Sequence, residues 1–146
     1  MKSGEFPEEI AFLDVELVKE IHRDQLLRYT EKPEMGIRDE ALLESAVMAC
    51  RAGNDEQYYC EDLFEMAASL MCSIDGNQAF LDGNKRTAAA AALTFLERNG
   101  IFLDEGDDLY NLCIRVSRKE ISRVEVAEQL RKWPQIREEG PADYEN

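Results

Sequence analysis

Apolar residues recur along the chain at helical spacing, and short polar breaks rich in Gly, Asn, Asp and Pro separate these segments. A spacing of three to four residues between apolar positions indicates amphipathic helices. We therefore predict six helices, at about residues 14–29, 39–52, 61–74, 84–98, 107–116 and 122–133. No strand pattern is long enough to make a sheet. The predicted fold class is all-α, with at most a small β-hairpin.

The fourth segment, residues 84–98, is rich in alanine and is predicted to lie at the centre of the bundle. Alanine has the highest helix propensity, and its small side chain lets another helix approach closely. Residues 1–133 are predicted to form a single domain, as the length suggests. Residues 134–146 are polar and acidic, and we expect them to be a disordered tail.

The charge of the chain excludes several classes of partner. The 146 residues include 31 acidic and 17 basic ones, which give a net charge of −14. A nucleic-acid surface needs a basic face, so we expect no nucleic acid as partner. The same charge argues against docking on anionic lipid. No apolar run approaches the ~18 residues of a membrane span, and the first ten residues lack a signal-peptide pattern. We expect a cytoplasmic protein.

The cysteines do not predict a metal site. Cys50, Cys60, Cys72 and Cys113 include no pair with CxxC spacing, and His22 is the sole histidine. A structural zinc site normally takes four ligands in close pairs. We therefore expect these cysteines to be buried free thiols.

The segment with the clearest chemistry is residues 78–88, Gln-Ala-Phe-Leu-Asp-Gly-Asn-Lys-Arg-Thr-Ala. A glycine, Gly83, leads directly into the fourth predicted helix, whose unpaired first N–H groups are suited to bind an anion. Lys85 and Arg86 add positive charge at the helix end where cations are normally unfavourable. Asp82 suits Mg²⁺, which typically takes one or two carboxylates and phosphate oxygens. A capped helix with a solvated charge pair would explain the same residues.

The same segment resembles the motif HxFx[DE]GN[KG]R of the Fic/Doc family in sequence and spacing, except at its first position. The surrounding sequence is similar to the Doc branch of this family. The similar segments are MGIRDEALLESA at 35–46, EDLFEMAASL at 61–70, TFLERNG at 94–100 and ISRVEVAEQL at 121–130. The resemblance covers about residues 12–133 and implies a Fic/Doc-type helical bundle.

The resemblance also implies a function. Doc toxins transfer phosphate from ATP to elongation factor Tu, which stops translation, and an antitoxin chain covers their active site. Fic relatives instead transfer AMP to hydroxyl groups. Lys85, where Fic transferases usually have glycine, and Ala89, where they usually have a second arginine, make the chain more similar to Doc. No string of the inhibitory form [ST]xxxE[GN] is present, so restraint would come from a separate antitoxin.

By position in the motif, the resemblance implies a role for each site residue. Asp82 would hold Mg²⁺. The backbone of Gly83 and Asn84 and the side chains of Lys85 and Arg86 would hold the nucleotide phosphates. Asn84 would also position a phosphate oxygen through its amide, and Asn84 and Lys85 count as catalytic positions.

The departure from the family motif is Gln78, two residues before Phe80, where the family has a histidine that acts as general base. Phe80 itself is expected in the core. The amide of glutamine does not titrate near neutral pH, and loss of a general base typically costs about 10²–10⁴-fold in rate. Phosphoryl transfer has a loose transition state, so some activity could survive. His22 is a possible substitute base, although a helix-surface or hydrogen-bonded histidine is the common case.

Three main functions and one further alternative remain open at this point. The first is a Doc-like toxin, impaired by Gln78. The second is an inactive Fic-fold pseudoenzyme or binding protein, and an AMP transferase of Fic type is a further alternative. The third is an acidic helical interaction protein whose basic turn is incidental. A segment that docks the target is expected upstream of the motif, within residues 30–39 or 53–60.

Overall fold

The computed structural model describes residues 4–104 and 108–136, and over these residues the protein is all-α. Six α-helices form in this part of the chain, with a short 3₁₀ helix at Ala49–Arg51 after the second. The helices are α1 (Val15–Tyr29), α2 (Glu40–Met48), α3 (Leu63–Asn77), α4 (Asn84–Arg98), α5 (Asp108–Ser117) and α6 (Arg123–Lys132). The predicted fold class and the number of helices are confirmed.

Side-chain caps explain where most helices begin. Asp14, Asp39 and Asp62 each accept a hydrogen bond from a backbone N–H in the first turn of α1, α2 and α3. Ser122 and Glu125 form a complete capping box at the start of α6. Such caps satisfy donors that the helix itself leaves unpaired.

Two helices share the centre of the bundle. α3 contacts α2, α4, α5 and α6, while α4 contacts α1, α3 and α5. The Ala-rich face of α4, with Ala88, Ala91 and Ala92 fully buried, lets the neighbouring helices approach closely. The Ala-rich helix is therefore central, as predicted, but α3 is equally central. Because α3 ends and α4 begins at residues 78–83, the motif lies at one end of this central pair.

The predicted end of α3 is wrong. The third helix was predicted to end at about residue 74, just before the turn-forming residues Asp75-Gly76-Asn77, yet α3 continues to Asn77. The Asn77 amide donates to the Leu42 carbonyl at 2.9 Å, and the Asp75 side chain is buried. Contacts with neighbouring helices therefore override the local preference of this sequence for a turn.

The first residues of the predicted tail contact the segment after α4. Residues 134–136 pair with residues 102–104 through two backbone hydrogen bonds, Asp104 N–H to Pro134 at 2.8 Å and Ile136 N–H to Phe102 at 2.6 Å. These extended residues supply each other's backbone partners. These contacts extend to residue 136, and the rest of the predicted tail, 137–146, lies outside the described residues.

Strand pairing within residues 4–104 and 108–136 is limited to isolated bridges. One of them, Ile37 with Phe80, joins the segment before α2 to the motif. No helix in this part of the chain is long and apolar enough to cross a membrane.

Candidate active site at the amino terminus of α4

The first turn of α4 presents free backbone donors. Gly83 is the N-cap in a left-handed conformation (φ 79°), and no side chain caps the helix. The first backbone hydrogen bond of the helix runs from the Thr87 N–H to the carbonyl of Gly83. Within the described residues, the N–H groups of Asn84, Lys85 and Arg86 have no acceptor. Together with the positive end of the helix dipole, they make an anion site.

A cleft of about 400 Å³ opens at this turn, and we call it the site cleft. It is lined by Tyr29, Thr30, Gln78, Leu81, Asp82, Gly83, Asn84, Lys85, Arg86 and Tyr110. Every residue that the sequence predicted for catalysis, phosphate or metal therefore lies on one cleft. Phe80 lies beneath it and is 2% exposed, which confirms its predicted place in the core.

The Arg86 guanidinium lies between two aromatic rings. Its Cζ is 4.0 Å from the ring centroid of Tyr29 and 3.5 Å from that of Tyr110. Both distances are well within the ~6 Å range of cation–π attraction. Stacking engages the faces of the guanidinium and leaves its N–H edges for an anion. Arg86 is thus held in position before any ligand binds.

Asn84 closes the loop rather than pointing its amide at the site cleft. Its Oδ1 accepts the Phe80 N–H at 3.1 Å, and its Nδ2 donates to the Phe80 carbonyl at 3.0 Å. Both ends of the amide are therefore engaged with one residue. In this structure the backbone N–H of Asn84, and not its side chain, is the free group at the helix start.

The Asp82 carboxylate is suited to bind a cation. It lines the site cleft, and in the described part of the chain it has no hydrogen bond or ion pair. The described residues contain no group of three or more His, Cys, Asp or Glu side chains that could hold a metal by themselves. One carboxylate fits Mg²⁺, which completes its ligand shell with phosphate oxygens and water.

Behind the site cleft, Lys85 lies near a buried carboxylate. Asp75 is 4% exposed, and its Oδ1 has no hydrogen-bond partner. Burial raises the pKa of Asp75, while the charge of Lys85 and hydrogen bonding by Ser117 oppose the shift. Lys85 thus lines the site cleft and also interacts electrostatically with the buried Asp75 carboxyl group.

Gln78 is exposed at the end of α3 in a left-handed conformation (φ 47°). Arg38 holds its backbone: Nε donates to the Gln78 carbonyl at 2.9 Å and Nη2 donates to the Asn77 carbonyl at 3.1 Å. The Arg38 and Asp39 N–H groups both donate to the Ala79 carbonyl. Residue 78 is thus fixed at the rim of the site cleft, with its side chain accessible to a partner.

The segment before α2 is joined to the motif. The pairing of residues 36–39 with 78–81 brings one of the two predicted docking segments, residues 30–39, to the site cleft. The other, residues 53–60, precedes Leu63 at the opposite end of α3, roughly 20 Å away at a rise of 1.5 Å per residue. Of the two candidates, only residues 30–39 lie beside the motif.

His22, distant from the motif in sequence, lies directly under it in the structure. It is 5% exposed, and its Nε2 is 2.8 Å from the Asp82 carbonyl oxygen. A carbonyl only accepts, so Nε2 carries the hydrogen. Burial lowers the pKa of His22, although the Asp82 carbonyl and carboxylate oppose this shift. His22 does not line the site cleft, so its position does not favour the role of substitute base.

Sequence reasoning missed several residues that shape the site, namely Tyr29, Tyr110 and Arg38. Tyr29 and Tyr110 belong to helices far apart in the sequence, and nothing in their local pattern marks them. The sequence could have indicated Arg38 as a site residue, because it lies within residues 35–46, one of the segments that resemble the family. The cysteines are free, with Cys72 half-buried and the other three buried.

A larger depression of about 880 Å³ lies beside residues 53–61. It contains Arg51 and the acidic residues Asp55, Glu56 and Glu61, but no motif residue and no helix start with free donors. The smaller site cleft is therefore the better candidate for a nucleotide.

Comparison with known proteins gives consistent results. Residues 12–96 match the sequence model of the Fic/DOC family. The chain is 32% identical to "Protein kinase doc" of Escherichia phage P1 over 114 residues, which are 77% of this chain and 86% of that protein. It is 42% identical to "Toxin Doc" of Mycolicibacterium smegmatis (strain ATCC 700084 / mc(2)155) over 84 residues, which are 53% of this chain and 65% of that protein.

Proposed function

This chain belongs to the Fic/Doc family, and on that premise we propose that it is a Doc-type toxin. Its reaction is the transfer of the γ-phosphate of ATP to a hydroxyl group of a translation factor of the elongation factor Tu type. Gln78 makes this form slow. The proposal extends to the chain the kinase and toxin activities that the names of its two relatives state.

The observation that carries the proposal is the site cleft itself. The start of α4 brings together free N–H groups, the Lys85 ammonium and the Arg86 guanidinium fixed between two rings. The Asp82 carboxylate, which has no ion pair in the described part of the chain, lies beside them. This combination of fixed positive charge and one carboxylate suits a polyphosphate with Mg²⁺. Phosphoryl transfer depends mainly on such positioning and charge stabilisation.

The proposed reaction is a displacement at the γ-phosphorus of ATP. The target hydroxyl oxygen forms a bond to the γ-phosphorus as the bond from that phosphorus to the β–γ bridging oxygen breaks, and ADP leaves. Lys85 and Arg86 stabilise the negative charge that develops on the phosphate oxygens. Mg²⁺, when held by Asp82, would neutralise part of the same charge.

The proton of the attacking hydroxyl has no base at position 78. The Gln78 amide accepts a hydrogen bond through its oxygen and so orients the hydroxyl, but it does not take the proton. The proton then leaves to solvent or to a phosphate oxygen. We expect this to cost about 10²–10⁴-fold in rate relative to a histidine at the same position.

Two protein partners follow from the same proposal. The target docks beside residues 30–39, which are joined to the motif by backbone pairing. An antitoxin chain restrains the enzyme by covering the site cleft, in line with the toxin name of one relative. The net charge of −14 favours basic surfaces on both partners.

The test is intact-mass analysis of elongation factor Tu after incubation with ATP, Mg²⁺ and the chain, beside Gln78→His and Gln78→His/Arg86→Ala versions. We expect one added phosphate, formed much faster by the Gln78→His version and lost with Arg86→Ala. Arg98→Ala in the Gln78→His version is the matched control, because Arg98 is exposed at the other end of α4. Absence of added mass with every version would overturn the assignment of this target and reaction.

A second candidate function is a binding protein without catalysis, and the glutamine at position 78 is the observation that favours it. Under this alternative the chain binds ATP with Mg²⁺, but the Gln78→His version modifies nothing. Added AMP instead of phosphate would identify a Fic-type transferase.

A further inference from the structure

His22 contacts the motif at several points at once. Its ring lies 3.8 Å from that of Phe80, at an interplanar angle of 8°. Its Nε2 hydrogen-bonds the Asp82 carbonyl at 2.8 Å. The backbone of Gly83 approaches the same face of α1 so closely that an added Cβ would lie 3.7 Å from His22 Cδ2 and 2.8 Å from Leu26 Cδ2.

We infer that His22 is a positioning residue that sets the direction of the Gly83 N–H, a backbone donor beside the anion site at the start of α4. The inference rests on the proposed nucleotide site and deepens it. His22 is a buried residue of α1 that lies outside the motif and does not line the site cleft. The inference gives it a role in nucleotide binding.

One peptide unit links His22 to the site cleft. The Asp82 carbonyl and the Gly83 N–H belong to the same planar trans peptide, so they point in opposite directions. His22 fixes the carbonyl towards α1. The Gly83 N–H must then point away from His22, and Gly83 itself lines the site cleft. On its other side, Gly83 is held by the hydrogen bond from Thr87 N–H to its carbonyl. Without the His22 bond, the peptide between Asp82 and Gly83 would lose its restraint, because glycine permits a wide range of φ.

The ring and the donor of His22 have separable tasks. Stacking on Phe80 places the loop against α1, while the Nε2–H bond orients the peptide plane between Asp82 and Gly83. A phenylalanine at position 22 keeps a ring for stacking and removes the donor. A glutamine keeps a donor near the position of Nε2 and removes the ring.

The test measures the affinity of the chain for ATP with Mg²⁺ by calorimetry, alongside thermal unfolding. We expect His22→Phe to weaken binding by about two- to tenfold, the range for loss of one hydrogen bond. His22→Gln should recover most of that loss. Val18→Ala is the matched control, because Val18 is fully buried one turn earlier on the same helix. This variant should unfold at a lower temperature yet bind ATP as the parent does.

Equal affinity in His22→Phe and the parent would overturn the inference, as would an equal loss in Val18→Ala. If His22→Phe does not fold, the His22 Nε2–H resonance of the parent gives the answer by NMR: it should shift on saturation with ATP, and an unchanged resonance refutes the role. If the parent binds no ATP, the proposed function fails. Displaced Gly83 and Asn84 amide resonances in His22→Phe, absent in Val18→Ala, would then still support the positioning role.

Discussion

Two tyrosine rings enclose the Arg86 guanidinium, and the distances allow their contribution to ATP binding to be estimated. The Arg86 Cζ lies 3.5 Å from the Tyr110 ring centroid and 4.0 Å from that of Tyr29. A cation–π contact contributes about 0.5–1 kcal/mol when exposed and about 2 kcal/mol when desolvated. Since Tyr110 is half-buried, its contact with Arg86 is worth about 1 kcal/mol, or about fivefold in an equilibrium constant at 25 °C.

The substitution Tyr110→Leu removes the ring and keeps an apolar side chain, so the guanidinium becomes free to leave the site cleft. We expect the affinity for ATP with Mg²⁺, measured by calorimetry, to fall about fivefold. Tyr110→Phe retains the ring and serves as control, and it should bind ATP within about twofold of the parent. Unchanged affinity in Tyr110→Leu would show that the Tyr110 ring does not hold Arg86 in place for ATP. An equal loss in Tyr110→Phe would assign the effect to the hydroxyl instead.

Two further predictions concern stability. Gly83→Ala should lower the free energy of unfolding by roughly 2 kcal/mol and the melting temperature by roughly 4–8 °C, because its Cβ would meet Leu26 at 2.8 Å. Gly100→Ala, at a similar φ but in open space, should lose only about half as much, and equal losses would contradict the steric reason. Burial raises the pKa of Asp75 above its ordinary value of 3.8. The protonated side chain therefore contributes to the free energy of unfolding below that pH, and this contribution is lost as pH rises through the pKa of the folded state. The stability of Asp75→Asn relative to the parent should therefore increase between about pH 3.5 and pH 7, and chemical denaturation at the two pH values checks this; a constant or falling difference would contradict it.

The sequence predicted α4 well because its ends carry strong local signals. Gly83 and Asn99-Gly100 bound the helix in the structure as they do in the pattern. The same kind of signal failed at the end of α3, where Asn77 finds a partner on α2. Local turn residues predict a helix end only when neighbouring helices do not supply competing contacts.

The part of the site that is continuous in the chain could be predicted. The part that separate helices bring together could not. Asp82 to Arg86 are one segment, and their place at a helix start follows from the glycine. Tyr29, Tyr110 and His22 reach the motif only because α1 and α5 pack against α4. Helical periodicity shows that a residue faces inward, but not which residue of another helix it will meet. The sequence therefore offered His22 only as a possible substitute base or as a helix-surface or hydrogen-bonded histidine, and its contact with the Asp82 carbonyl could not be predicted.

The most direct test of the central claim is to follow which phosphorus of ATP reaches the target. The Gln78→His version is incubated with elongation factor Tu and with ATP radiolabelled at either the α- or the γ-phosphorus. We expect label on the target from γ-labelled ATP only, with a much slower transfer by the Gln78 chain. Label from α-labelled ATP, or no label from either, would contradict it.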